Sequence, residues 1–287
     1  MLDRMLYYGL HPTLILVVVG TWYFNRDWGD AYLLMLLGVQ LTLGVLEYLR
    51  PARPHWRQSA GEKFRNVCIW AVSSACAVFF GTWYAQNLAA PLTDLRIALH
   101  MDIWPHDWPI LVQLVMVFLL SEFIWYWMHR AEHRWRWMWR VTGHGAHHSF
   151  KRLEAINFGA NHPFEMLFIV LPTALVELFF GVGIAAAGVA MLTLVQVGVA
   201  HANIKMNSKV IGWVLTTNDY HVRHHSAVLE ESNTNYGCSI ILWDRVFGTF
   251  ADSYVVEAGT GLTEPTTWRK FLMPFKEPED SAVAPGR

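Results

Sequence analysis

The chain alternates long apolar stretches with short polar segments, which is typical of a protein that crosses a membrane several times. A helix needs roughly 20 residues to cross a bilayer core about 30 Å thick. Four apolar stretches qualify: residues 10–24, 31–49, 67–89 and 108–128. The first is the shortest and would need the neighbouring Tyr7 and Tyr8 to cross the core. The first is preceded by a weak charged start and has no small-residue cleavage site. We therefore expect a retained span and not a cleaved signal peptide.

A fifth apolar stretch runs from Phe164 to Ala200 and is interrupted by Gly181-Val182-Gly183. Each half would form a helix of about 17 residues and roughly 25 Å, which is short for a full span and suits a membrane or re-entrant hairpin. A hairpin returns to the side that it left. We therefore expect His162 and His201 at the same end of the molecule.

Basic residues indicate the orientation of these segments. Lys and Arg follow the second span (residues 50–65) and the fourth (residues 130–152), whereas the other two short loops contain only Arg26 and Arg96. Because cytoplasmic loops carry an excess of Lys and Arg, the N-terminus, the 50–66 loop and everything after residue 129 are expected in the cytoplasm. The predicted fold is all-α and integral to the membrane: four transmembrane helices, the hairpin and a cytoplasmic histidine-rich helical cap.

Composition agrees with a membrane protein and excludes some partners. The chain is 54% hydrophobic and 16% charged, whereas a soluble domain carries about 25% charged residues. Its formal net charge is −1 and it has no long basic run, which argues against nucleic acid as a partner. Cys68, Cys76 and Cys238 form neither a C-x-x-C pair nor a disulfide framework.

The candidate chemistry lies in the histidines, ten of which fall between residues 129 and 225. Positions i, i+3 and i+4 share a helix face, and imidazole is the commonest protein ligand for a catalytic transition metal. Ten rings exceed the needs of one ion, so we predict a dinuclear site with four or five ligands per metal. The ten occur as His129-x3-His133, His144-x2-His147-His148, His162, His201 and His221-x2-His224-His225.

The chain must bend for these rings to meet. A continuous helix would separate His133 from His144 by about 16 Å, so we expect a break at Thr142-Gly143, with Gly145 close by. Asn218 and Asp219 are candidate N-caps for the helix that carries His221.

Two other kinds of metal site agree with part of the pattern. His129-x-x-Glu132-His133 matches the H-x-x-E-H signature of a zinc hydrolase or protease, in which Glu132 would be the general base, but this leaves both H-x-x-H-H motifs unexplained. Bis-histidine haem binding needs histidines within apolar helices, whereas these lie at the ends of the apolar stretches or beyond them.

The three histidine motifs resemble the histidine boxes of the fatty acid hydroxylase/sterol desaturase superfamily. Asn161-His162-Pro163-Phe164-Glu165 is similar to its H-P-x-E element, with His201 as the further histidine at the far end of the hairpin. Asn233-Thr234-Asn235-Tyr236-Gly237 and residues 243–250 (Trp-Asp-Arg-Val-Phe-Gly-Thr-Phe) resemble its closing signature. The resemblance covers about residues 110 to 250.

The resemblance implies a membrane di-iron oxygenase that hydroxylates or desaturates a lipid with molecular oxygen and electrons from a reductase. Zinc has no redox chemistry, so we expect iron. The lipid class stays open: fatty acyl, sterol, sphingoid, ether lipid or carotenoid. By resemblance the ligands would be His129, His133, His144, His147, His148, His201, His221, His224 and His225, with His162 as a tenth.

Several acidic residues are candidates to orient an imidazole N–H. Glu122 lies seven residues before His129, on nearly the same helix face, and a helix cap or turn hydrogen bond is an equally good interpretation of each candidate. The other carboxylates are Glu165, Asp219 and Asp244.

The chain is expected to divide into an N-terminal transmembrane region (1–109), a catalytic domain (110–250) and a surface tail (251–287). The 37 residues after Phe250 leave no room for a fused cytochrome b5-like donor, so electrons are expected from a separate protein or a diffusible reductant. Trp268-Arg269-Lys270-Phe271-Leu272 is expected on the membrane surface, and the last ten residues are expected to be disordered. The expected membrane is a bacterial inner membrane or the endoplasmic reticulum.

Overall fold

The computed structural model describes residues 1–252, 255, 257–260 and 263–276. The last ten residues, for which the sequence predicts disorder, lie outside this part of the chain. The helices are α1 (Leu2–Phe24), α2 (Gly29–Leu49), α3 (Ala60–Ala98), α4 (Ile110–Arg134), α5 (Arg136–Thr142), α6 (His144–His148), α7 (Glu165–Ile169), α8 (Leu171–Phe180), α9 (Ile184–His201), α10 (Asn218–His224), α11 (Leu229–Ser232), α12 (Leu242–Phe247) and α13 (Thr267–Leu272), with 3-10 turns at Pro54–Trp56, Ala155–Gly159 and Ile211–Trp213.

The first three predicted apolar stretches lie within α1, α2 and α3, and the fourth lies within α4 except for Trp108 and Pro109, which precede it. Within the described residues, these four and α9 are long and apolar enough to cross a membrane. The helix that contains the first stretch is longer than predicted, because α1 already begins at Leu2. Large apolar side chains such as Leu16, Leu41 and Val78 stay about 70% exposed on the outer faces, where a bilayer would cover them.

Helix α3 is much longer than a bilayer core. Its 39 residues correspond to roughly 58 Å, so its ends extend beyond the hydrocarbon region. Its N-terminus is fixed by a capping box, in which the Ser59 hydroxyl accepts from the Glu62 N–H and the Glu62 carboxylate accepts from the Ser59 N–H. The start of the helix is therefore encoded locally.

Close helix packing in the bundle depends on small residues. A Cβ on Gly188 of α9 would lie 2.6 Å from the Trp22 ring of α1 and 2.7 Å from Leu114 of α4. Glycine thus lets three helices approach closely, as is common where helices pack within membranes.

The hairpin of α8 and α9 extends along the whole bundle. At its turn, Arg96 near the end of α3 donates to the carbonyl of Phe179 (3.1 Å), and Trp22 near the end of α1 donates to the carbonyl of Ile184 (3.1 Å). Helix α9 then runs back to end at His201, the same end at which α4 finishes. We call this the histidine end of the bundle.

The histidine end is covered by short helices. The predicted break between His133 and His144 is confirmed: α5 ends at Thr142, Gly143 adopts a left-handed conformation (φ 75°), and α6 starts at His144. The predicted caps of the helix that carries His221 are wrong. Helix α10 starts at Asn218 and its N-cap position is Thr217, because Asn218 already takes helical geometry and donates its side-chain amide to the carbonyls of Ala202 and Ile204.

The segment that contains α13 packs on the histidine end. Trp268 is 70% exposed, as expected of a surface helix, but Lys270 is only 6% exposed and ion-pairs with Glu264 (2.8 Å). Arg140 of α5 donates to the carbonyl of Phe275 (3.0 Å). Helix α13 is therefore anchored to the protein on one face.

Candidate metal centre

Nine histidine rings meet at the histidine end in two groups. Within each group the ring nitrogens lie within 4.8 Å of one another, and no ring is more than 6% exposed. Of the ten histidines selected from the sequence, His162 belongs to neither group. The five-ring group is His129, His133, His144, His148 and His224, and the four-ring group is His147, His201, His221 and His225.

Helix geometry divides each H-x-x-H-H motif between the two groups. His144 and His148 of α6 are separated by four residues, share a face and enter the five-ring group, whereas His147 turns toward the four-ring group. The α10 motif does the reverse, with His224 alone in the five-ring group. Each motif therefore contributes to both groups, and not to one point.

The two groups are direct neighbours. The rings of His148 and His225 stack across the boundary with centroids 4.3 Å apart, and those of His221 and His224 stack at 5.6 Å. This adjacency suits two metal ions side by side.

Carbonyl acceptors determine which nitrogen of several rings faces inward. Because a carbonyl oxygen only accepts, the ring Nδ1 beside it must carry the proton, and Nε2 is left with a lone pair. The pairs are His129 with the Tyr236 carbonyl (2.6 Å), His224 with Thr234 (2.9 Å) and His201 with Val197 (2.8 Å).

The inward Nε2 atoms are arranged as metal ligands. Two acceptor nitrogens in contact repel unless a cation lies between them. For ligands at right angles around an ion, metal–nitrogen bonds of about 2.1 Å place neighbouring nitrogens about 3 Å apart. The residues therefore fit two ions. The Nε2 separations are 2.9 Å for His129–His144, 3.1 Å for His133–His144, His129–His224 and His201–His221, and 3.2 Å for His133–His148, His147–His201 and His221–His225.

Burial keeps five of the grouped histidines neutral. Burial away from solvent is the larger cause, and repulsion from neighbouring imidazoles is the smaller. Together they hold the pKa of His147, His148, His221 and His225 well below the usual value. Burial also lowers the pKa of His224, to about 3. Neutral imidazole is the form that binds a metal, so no proton has to leave these rings at neutral pH.

His144 has a different electrostatic environment. Burial lowers its pKa, but the carboxylates of Glu132 and Glu165 more than offset this, and the net pKa is raised. Its Nδ1 lies 2.6 Å from Glu165 Oε1 and 3.9 Å from Glu132 Oε2. Glu165, a candidate from the sequence, thus accepts the Nδ1 proton and directs Nε2 into the five-ring group, which strengthens the ring as a ligand.

The position of Glu132 does not support the zinc-hydrolase alternative. Its carboxylate lies on the Nδ1 side of His144, away from the inward Nε2 atoms, and is 1% exposed. A general base must reach the water that it activates, and this carboxylate faces the outer side of the His144 ring.

The remaining acidic candidates have different contacts. Asp244 accepts the backbone N–H of Tyr236 (2.8 Å) and so fixes the loop whose carbonyl orients His129. Glu122 contacts the Thr193 hydroxyl (3.4 Å) and Asp219 accepts from the Ser208 hydroxyl (3.0 Å). Neither is placed against an imidazole by these contacts.

His162 supports the turn before α6 and lies outside both groups. Its Nε2 lies 3.2 Å from the carbonyl of Phe271. A Cβ on Gly143 would lie 2.5 Å from its ring, so ring and turn are in direct contact. The hairpin does bring His162 to the histidine end, as predicted, but the ring faces α13.

Two further features contribute to the site. Trp139 of α5 is 3% exposed, and its ring centroid lies 5.2–5.3 Å from those of His133, His144 and His148. Gly145 leaves room for it, because a Cβ there would lie 2.7 Å from the indole nitrogen. Backbone carbonyls such as that of Tyr236 carry no residue-type signal, so the sequence could not indicate their role.

His11 lies within α1 and outside the two histidine groups. It is 2% exposed inside the bundle, with Nε2 2.7 Å from the amide oxygen of Gln196. A hydrogen-bonded pair between α1 and α9 satisfies both polar groups in an apolar setting.

These features define a class: a helical membrane protein with a buried double group of histidines. The family model for fatty acid hydroxylases matches residues 114–249, which contain all nine grouped histidines. An ornithine lipid hydroxylase of Rhizobium tropici is 30% identical over 236 residues, covering 77% of this chain and 68% of that protein.

More distant relatives share only part of their length with this chain. An alkylglycerol monooxygenase of Xenopus tropicalis is 28% identical over 47% of this chain and 30% of its own length. A very-long-chain aldehyde decarbonylase of Oryza sativa is 28% identical over 52% of this chain and 56% of its own. No solved structure matches the chain. The chain belongs to the fatty acid hydroxylase family and is an oxygen-dependent oxidoreductase.

Proposed function

We propose that this protein hydroxylates a membrane lipid at an unactivated C–H bond, with two iron ions held by the nine grouped histidines. The observation that carries the proposal is the pair of adjacent groups in which Nε2 lone pairs face one another at 2.9–3.2 Å. Bound iron would supply the redox chemistry with oxygen that zinc lacks. The family match supports iron as the metal.

The protein's own residues would bind and orient the metals and exclude water. Carbonyls of Tyr236, Thr234 and Val197 hold Nδ1 protons in place, and Glu165 holds that of His144. All nine rings are buried, so the centre is dry and bulk water has little access to a reactive site. Trp139 and Tyr126, each at most 3% exposed, would extend this apolar shell.

An amino-acid lipid is the first substrate to test, because the relative with the longest overlap reported above is named an ornithine lipid hydroxylase. An ether lipid is the second, since another relative is named an alkylglycerol monooxygenase. Desaturation stays open, because it starts with the same hydrogen abstraction as hydroxylation. We place the site on the cytoplasmic side, near the basic segments, with electrons from a separate donor protein or a diffusible reductant.

Lipid analysis of a bacterial host tests this function. The host would make an ornithine lipid and would express either the wild-type chain or His221→Ala. We expect a lipid heavier by one oxygen with the wild type only, together with about two irons per purified chain. A product lighter by two hydrogens would indicate desaturation. One tightly bound zinc, with no oxygen uptake on reduction, would contradict the proposal.

A further inference from the structure

A cavity of about 390 Å³ lies between α2 and α3. One wall is a stripe of α2 that includes Leu41, Gly44 and Val45, the opposite wall includes Val67 of α3, and Ile156 of the Ala155–Gly159 turn closes it. This volume is within the range of small-molecule sites, about 300–1,000 Å³.

The walls of the cavity are largely apolar and suit a hydrocarbon chain. Both helices are candidate membrane spans, and Leu41 (70%), Val45 (47%) and Val67 (42%) are exposed apolar residues on them. Since the cavity is open between two spans, its natural access is from the bilayer. An alkyl or acyl chain therefore fits its apolar part.

One end of the cavity is polar, and a positive charge lies beside it on Arg57, next to the lining residue Tyr48. Lys63, which lines it, is ion-paired with the buried Glu154 (2.7 Å). Arg57 lies over the Tyr48 ring (4.9 Å) and donates to the Tyr48 carbonyl (2.7 Å). Arg57 has no carboxylate partner among the residues that the structure describes. An anionic lipid headgroup would complement the positive charge at this end of the cavity.

The floor of the cavity touches the segment that carries a grouped histidine. Glu47, in the cavity wall, accepts the N–H of Asn203 (2.9 Å), two residues after His201. Gln40, also in the wall, lies against Gly198, where a Cβ would be 2.8 Å from its amide nitrogen. Gly198 is about one helical turn before His201. The cavity therefore borders the end of α9 that carries His201.

We propose that this cavity is the binding site for one chain of a membrane lipid whose anionic headgroup lies against Arg57 and Lys63. That this lipid is the substrate rests on the proposed function, whereas the binding itself does not. The proposal narrows the substrate class to lipids with a carboxylate or phosphate beside the glycerol or amino-acid linkage.

Two glycines of α2 provide a matched pair for the test. Gly44 lines the cavity and Gly38 does not, and a Cβ at either meets nothing within 4 Å. Leucine at either position favours the helix by about 1 kcal/mol over glycine, so both variants should fold. Gly44→Leu fills the cavity, whereas Gly38→Leu adds the same side chain on another face.

The measurement is photo-crosslinking of the full-length protein as purified, without added reductant, in vesicles that contain phosphatidylglycerol with a diazirine-bearing chain. We expect Gly44→Leu to lower the crosslinking yield at residues 40–49 and 63–67 several-fold and Gly38→Leu to leave it unchanged. Arg57→Gln should remove the preference for phosphatidylglycerol over uncharged diacylglycerol probes. Equal crosslinking in wild type, Gly44→Leu and Gly38→Leu would mean ordinary annular lipid and overturn the proposal.

The two proposals fail separately. Loss of crosslinking in Gly44→Leu, without any hydroxylated lipid in the host, would retain the lipid site and reject the proposed function. Hydroxylation at an unchanged KM in Gly44→Leu would retain the function and reject this cavity as the substrate site.

Discussion

At the scale of single residues, the site depends on how each imidazole is held. A ring whose Nδ1 proton is committed to a carbonyl or carboxylate can only present Nε2 as a ligand. His129, His201 and His224 are held by backbone carbonyls, and His144 by Glu165. His162 has the same chemistry, but its position beside Gly143 and Phe271 directs it elsewhere.

The first prediction contrasts two histidines that the sequence treats alike. We expect His201→Ala to lose about half of the bound metal, because it removes one of only four rings in its group. His162→Ala should keep the full metal content. Elemental analysis of purified protein, with circular dichroism to check folding, measures both. Equal metal loss in the two variants would assign His162 to the ligand set.

At the scale of helices, short elements place the rings and long ones support them. Gly143, with φ 75°, reverses the chain between α5 and α6, a conformation that favours glycine. Helix α13 packs beside this turn, with the Lys270 ammonium 3.2 Å from the centroid of the Phe150 ring and paired with Glu264. The short helices that cover the histidine end are therefore held by specific polar contacts.

The burial of Lys270 in α13 makes the stability of the folded protein depend on pH. Burial lowers its pKa from 10.5 to about 8, despite Glu264. Between about pH 8 and 10.5 the unfolded chain binds more protons than the folded one, so this group makes stability rise with pH in that window. We expect the Tm of the wild type, relative to Lys270→Met, to increase from pH 7.5 to 9.5. The exposed Lys276→Met is the control, and a flat difference would contradict the buried charge.

At the scale of the whole molecule, the bundle has two unlike ends. Helices α4 and α9 finish at the histidine end, where the backbone N–H of Asn207 also donates to the carbonyl of Tyr7 in α1 (2.8 Å). The turn between α8 and α9 lies at the opposite end, beside Trp22 and Arg96. The α8–α9 hairpin therefore extends over the same length of the bundle as the long helices.

Cysteine labelling tests this arrangement in a membrane. With Cys68, Cys76 and Cys238 replaced by serine, Ile184→Cys should react with an impermeant maleimide from the side opposite to Lys209→Cys. We expect Lys209→Cys to label from the cytoplasm. Labelling of both positions from one side would indicate a shallow re-entrant hairpin.

Much of the fold is predictable because its signals are local. Apolar stretches long enough for a bilayer predict α1 to α4, and the glycines near residue 143 predict the break before α6. The caps of α10 were not predictable in this way, since the role of Asn218 depends on the distant carbonyls of Ala202 and Ile204.

The sequence by itself determined the helical membrane class and the candidate histidines, because hydropathy and i, i+4 spacing are properties of adjacent residues. Only the tertiary structure decided how the rings divide into groups of five and four, that His162 stands apart, and which carbonyls orient the imidazole rings. The physical reason is distance along the chain: His129 and Tyr236 are 107 residues apart. Such contacts exist only after the helices have packed.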